Sequence, residues 1–184
     1  MSESQNWFVF RGQRDYLHGA STFDFIVTEF ARKLGEPAQI DFILLHKTTH
    51  YCRVESAKGS SAGLVASYTD ENGQYFLYET DDPITERVAY SEPVEGEHFV
   101  IKGERVSIMT ADNTFIELAV AAYKGLLTVL FPETKGRHIL SRIQLERIPA
   151  SPFEIHYKRK IAKRFYEGEI RVGGDAVGLI YFGV

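Results

Sequence analysis

Two stretches of the chain carry apolar residues at helical spacing. In the first these are Phe23, Ile26, Val27, Phe30, Ala31 and Leu34; in the second, Phe115, Leu118, Ala119, Ala122, Tyr123 and Leu126. Recurrence at i, i+3, i+4 and i+7 predicts an amphipathic helix with one buried face in each place. A short β-like run precedes both. Phe8-Val9-Phe10-Arg11-Gly12-Gln13-Arg14 matches Phe99-Val100-Ile101-Lys102-Gly103-Glu104-Arg105 with four identities and three conservative pairs, and one residue out of that register Thr22-Phe23 falls on Thr114-Phe115. The pattern predicts an internal repeat in which each copy reads strand, short loop, helix.

Beyond each helix the polar and apolar positions become strand-like. After Gly35-Glu36-Pro37 come residues 40–45, an extended region with His50-Tyr51, and a pair of strands about Asp70-Glu71-Asn72-Gly73. After Pro132 come residues 138–148, then 153–170 with His156-Tyr157, and a closing pair about Gly173-Gly174-Asp175. Asn72-Gly73 and Gly173-Gly174 between β-rich flanks predict hairpins. The fold class is α+β, in two tandem units over residues 1–92 and 93–184 joined near 91–97.

Composition narrows the function classes. The chain has 184 residues, 44% hydrophobic and 25% charged, which is globular, and the longest apolar stretch, 118–131, is broken by Lys124 and too short to span a bilayer. Twenty-five acidic residues against 21 basic ones give a net charge of −4, without the basic field that holds nucleic acid. The start, Met1 to Asn6, has no basic and apolar secretory signal, and the single Cys52 has no partner for an internal disulfide. A cytoplasmic location is expected. Phosphate-cradling glycine loops and His-Glu-x-x-His patterns are absent from the sequence. His46 and His50 share a strand face with Cys52, but about 3.3 Å per residue separates the two imidazoles by about 13 Å, too far for one ion. No metal or cofactor is expected.

The closing hairpin, Tyr166-Glu167-Gly168-Glu169-Ile170-Arg171-Val172-Gly173-Gly174-Asp175-Ala176-Val177, after a long helix and antiparallel strands, resembles the hot-dog fold of acyl-thioester dehydratases and thioesterases. The resemblance covers nearly all of residues 99–184, and through the repeat it implies a double hot dog, a pseudo-dimer within one chain that could assemble further. Pairing two units also removes an exposed sheet edge from each. The implied partner is an acyl thioester carried by coenzyme A or an acyl carrier protein, with no nucleic acid and no membrane insertion.

In the dehydratases the resemblance implies a His before one helix and an acidic residue on the helix of the other unit. Here these match His18 and Glu117, whose counterparts in the other copy are Thr110 and Phe25. His suits proton abstraction, and a Glu held protonated suits the departing hydroxyl. Gly19 at the helix start would aid carbonyl polarisation, and Asp112 and Asn113 are the other expected substrate contacts. Glu117 also fits a capping box opened by Thr114, and the wheel sets it with Asn113 and Lys124 on a solvated face. The dehydratases tend to follow their His with Phe-Pro, whereas this chain has His18-Gly19-Ala20. A thioesterase would use a carboxylate to activate water, with Asp15, Asp24 and Asp112 as candidates; cap or first-turn placement is the structural alternative for Asp24 and Asp112. A third reading is an acyl-binding module without catalysis, and dehydration of a 3-hydroxyacyl thioester by His18 and Glu117 is the leading expectation. The basic run 156–164 would present Lys158, Lys160 and Lys163 to an acidic carrier protein, or simply form a solvated face.

Overall fold

The computed structural model describes residues 7–184; Met1–Asn6, read above for a signal, lie outside them. In chain order the elements are β1 (Phe10–Arg11), α1 (Gly19–Glu29), a 3-10 turn (Ala31–Lys33), β2 (Ala38–Leu44), β3 (His50–Glu55), β4 (Leu64–Thr69), β5 (Gln74–Pro83) and β6 (Arg87–Val88). The second half supplies β7 (Phe99–Lys102), β8 (Arg105–Ile108), α2 (Phe115–Leu130), β9 (Ile139–Arg147), β10 (Phe153–Ile161), β11 (Phe165–Val172) and β12 (Asp175–Gly183).

Ten strands form one antiparallel sheet in the order β3-β5-β4-β2-β9-β12-β11-β10-β8-β7. The halves join where β2 pairs β9, with Ile40 opposite Leu145 and Phe42 opposite Ile143. Both helices pack on this sheet: Phe23 of α1 meets Phe42 edge-on at 5.4 Å between ring centres, and Tyr123 of α2 meets Phe182 at 5.3 Å. Two helices in one sheet shared by two units are the double hot-dog arrangement.

The apolar stripes point inward as their spacing predicts, for Phe23, Ile26, Val27, Leu118, Ala119, Ala122, Tyr123 and Leu126 are all buried. The first helix departs from expectation at both ends. It begins three residues before Thr22-Phe23, at Gly19, and it stops at Glu29, leaving Leu34 60% exposed. Phe30 has non-helical backbone, and the chain continues as the 3-10 turn Ala31–Lys33.

A helix followed by four strands recurs in both halves, but the second half adds β8 between the repeat run and its helix, and the order across the sheet differs. In the second half the strand beside β9 is the last one, β12; in the first half the strand beside β2 is β4, with β5 outside it. The cause is the connection between the second and third strands after each helix, β3 to β4 and β10 to β11. A tight turn with Ala162 and Lys163 in left-handed conformation makes β10 and β11 neighbours. Residues 56–63, rich in Ser and Gly, instead carry the chain past β5, and the Gly59 amide donates to the Tyr78 hydroxyl at 2.8 Å on the way. The first copy of the short repeat run also leaves the main sheet: β1 pairs with β6, in parallel, in a separate two-stranded sheet.

Candidate functional site

The helices run antiparallel against each other. Thr114, the N-cap of α2, bonds Asp24 midway along α1, while Gly19 and Ala20 at the start of α1 share a cavity with Val120, Lys124 and Thr128 of α2. Each end of this seam opens into a cavity.

The cavity at the start of α2, about 560 Å³, is lined by Phe23, Val27, Phe115 and Ile148 with Asp24, Arg32, Asn113 and Thr114 among them. Asp24 is the sixth residue of α1 and only 9% exposed. The Thr114 hydroxyl donates to its Oδ2 at 2.8 Å. Burial pushes the Asp24 carboxyl up to about 7; the Thr114 hydrogen bond opposes this and the nearby Glu117 charge adds to it. A carboxyl of that kind exchanges a proton near neutrality. Asp24 is therefore neither a cap nor a first-turn residue.

The cavity at the start of α1, about 470 Å³, is lined by His18, Gly19, Ala20, Lys124 and His138 among others. His18 is the N-cap of α1, 8% exposed, with its Nδ1 buried and unpartnered. Burial, with help from Arg14 and Arg11, pushes its pKa down to about 3, so the imidazole is neutral at physiological pH. His138, 9% exposed, has a buried unpartnered Nε2 and is likewise pushed below the ordinary histidine range by burial.

Glu117 makes the predicted capping box, with its amide donating to Thr114 Oγ1 and its carboxylate accepting from the Thr114 amide. The expected solvated face is not found, because Glu117 is only 7% exposed. The segment ahead of α1 lies along α2 and covers it. Arg11 pairs with Glu117, Arg14 pairs with Glu92 at 3.2 Å, and Glu92 pairs with Lys124. Both arginines also stack on Tyr90. Asn113 Nδ2 donates to Glu117 at 3.4 Å. The hydrogen bonds of Glu117 thus go to Arg11, Asn113 and Thr114, and Glu117 lines neither cavity.

Of the other expected residues, Gly19 lies against Leu44 so closely that a Cβ would stand 2.9 Å from Leu44 Cδ2. Asp112 is exposed and accepts from the Thr110 hydroxyl, and Asp15 is exposed. In the basic run Lys158 pairs with Glu169 at 3.1 Å, Lys160 sits over the Tyr166 ring at 4.8 Å, and Lys163 stands exposed in the β10–β11 turn. His138 and the contact of Thr114 with Asp24 escaped the sequence reading. The Thr114 capping signal was legible, whereas its bond to a residue 90 positions away was not.

No family model matches the chain, and no curated protein matches it in sequence. Solved structures with a similar chain path include a TesB protein from Mycobacterium avium subs paratuberculosis, at 9% identity over 91% of this chain and 86% of that one, TM-score 0.48. Others are the dehydratase domain of RzxB from Pseudomonas fluorescens, at 13% identity over 92% and 86%, TM-score 0.48, and a dehydratase-cyclase domain of ambruticin biosynthesis, at 11% over 96% and 86%, TM-score 0.47.

Proposed function

We propose that the protein hydrolyses an acyl thioester, with Asp24 activating water in the cavity at the start of α2. The observation that carries this reading is a buried carboxyl poised at about 7 and bonded to a hydroxyl beside an apolar-walled cavity. Ionised Asp24 takes a proton from water as the oxygen attacks the thioester carbonyl carbon. The carbon–sulfur bond then breaks, and the thiolate leaves with the proton returned by Asp24. Thr114 keeps the carboxylate oriented throughout. Phe23, Val27, Phe115 and Ile148 suit an acyl chain. Coenzyme A and a carrier protein remain the two substrate forms that the sequence resemblance implies, and Lys158, Lys160 and Lys163 are the docking candidates for the second.

Dehydration of a 3-hydroxyacyl thioester by His18 and Glu117 is the second reading, supported by a neutral His18 with a free ring nitrogen. The geometry favours hydrolysis because a His pushed down to about 3 is a weak base and the Glu117 carboxylate is committed to Arg11. One assay separates the two: free thiol from saturated acyl thioesters, water loss from 3-hydroxyacyl ones. Thiol release is expected, with kcat/KM rising through an inflection near pH 7 as Asp24 ionises. Asp24→Asn is expected to lower it by about 10²- to 10⁴-fold. An unchanged rate in that variant would overturn the assignment, and dehydration sensitive to His18→Ala would establish the second reading instead.

A further inference from the structure

We infer that the cavity at the start of α1 is a binding site for a phosphoryl group. It stands apart from the Asp24 cavity and does not depend on the hydrolysis reading.

Three observations converge. The first is that α1, eleven residues long, starts without any side-chain cap, whereas α2 caps its own first turn with Thr114 and Glu117. The first amides of a helix have no intrahelical acceptor, and here those of Gly19 and Ala20 belong to residues that line the cavity. The second is a pair of polar atoms buried without partners on residues that line the cavity, Nδ1 of His18 at the N-cap and Nε2 of His138. Both residues are more than nine-tenths buried, and unpaired polar groups at that depth are costly unless something binds them. The third is charge. Among the described residues, Arg14, Lys47, Lys124 and Arg137 line the cavity against the single carboxylate of Glu92, which already serves Arg14 and Lys124.

The number and directions of the donors select the anion. Helix amides, two imidazoles and cations from α2 and the loops on either side approach from separate elements. A planar carboxylate offers two oxygens and one charge. A phosphoryl group offers three oxygens and a charge of about −1.5 to −2, which suits donors arriving from several sides. A volume of about 470 Å³ exceeds what free phosphate fills and leaves room for the body of a small phosphate ester.

The test is an NMR titration of the full chain at neutral pH and low ionic strength with inorganic phosphate, phenyl phosphate and acetate. Both phosphates are expected to shift the Gly19 and Ala20 amides and the His18 and His138 ring signals to saturation, with acetate far weaker. Tighter binding of phenyl phosphate identifies an ester as the ligand, and equal binding identifies the free ion. The double variant Lys47→Glu, Arg137→Glu changes two exposed side chains and is expected to weaken binding by about tenfold or more. Asp24→Asn is expected to leave phosphate affinity unchanged, so hydrolysis and phosphate binding fail or succeed separately. Absent shifts with both phosphates, equal shifts with acetate, or unchanged affinity in the double variant would each overturn the assignment.

Discussion

Burial moves Asp24 and His18 from their ordinary pKa values in opposite directions, and the consequences for stability have opposite slopes. Between about 4 and about 7 folded Asp24 keeps a proton that the unfolded chain has released, so stability falls as pH rises through that window and is level above it. A shift of this size corresponds to something on the order of 4 kcal/mol. For His18 the unfolded chain gains a proton that the folded chain refuses, so stability falls as pH drops from about 6.5 towards about 3. Asp24→Asn removes the first effect alone. In urea denaturation it is expected to exceed the parent in stability at pH 8 and to match it near pH 4; a variant less stable than the parent at pH 8 would contradict the raised carboxyl.

Among the elements, close approaches decide which positions tolerate change. A Cβ on Gly178 of β12 would stand 2.3 Å from the backbone oxygen of Gln144 in β9, and one on Gly168 of β11 would stand 2.7 Å from the Tyr123 ring. Backbone cannot yield as a ring can. Gly178→Ala is therefore expected to cost about 1–3 kcal/mol or more, and more than Gly168→Ala, with the order of the two Tm values as the measurement. The sequence makes the helices and hairpins visible because their signals are local: the apolar spacing, the Thr114 to Glu117 box, Asn72-Gly73 and Gly173-Gly174. The exposed reading of Glu117 fails for a reason no periodicity holds, since the arginine that covers it lies 106 residues away. Likewise the start of α1 is hidden because Gly19, Ala20 and Ser21 carry no apolar rhythm. The crossing at 56–63 was invisible too, because a flexible loop does not specify which side of a strand it leads to.

At the scale of the whole molecule, the β2–β9 pairing makes the two repeats one sheet, and both cavities take walls from both halves. Neither half lines either cavity alone. The chain is expected to unfold in one transition, with calorimetric and van't Hoff enthalpies equal; two resolved transitions would show that the halves are separate folding units. The Thr114 hydroxyl links this cooperativity to chemistry, since it accepts from the Glu117 amide to start α2 and donates to Asp24 across the seam. Its two duties would be inherited differently. A descendant that no longer turned over substrate would still need Thr114 to begin a helix, but would gain stability by discarding the buried acid it holds. If Asp24 activates water as proposed, a retained threonine among relatives of this chain would be a record of folding and a retained Asp24 the record of activity.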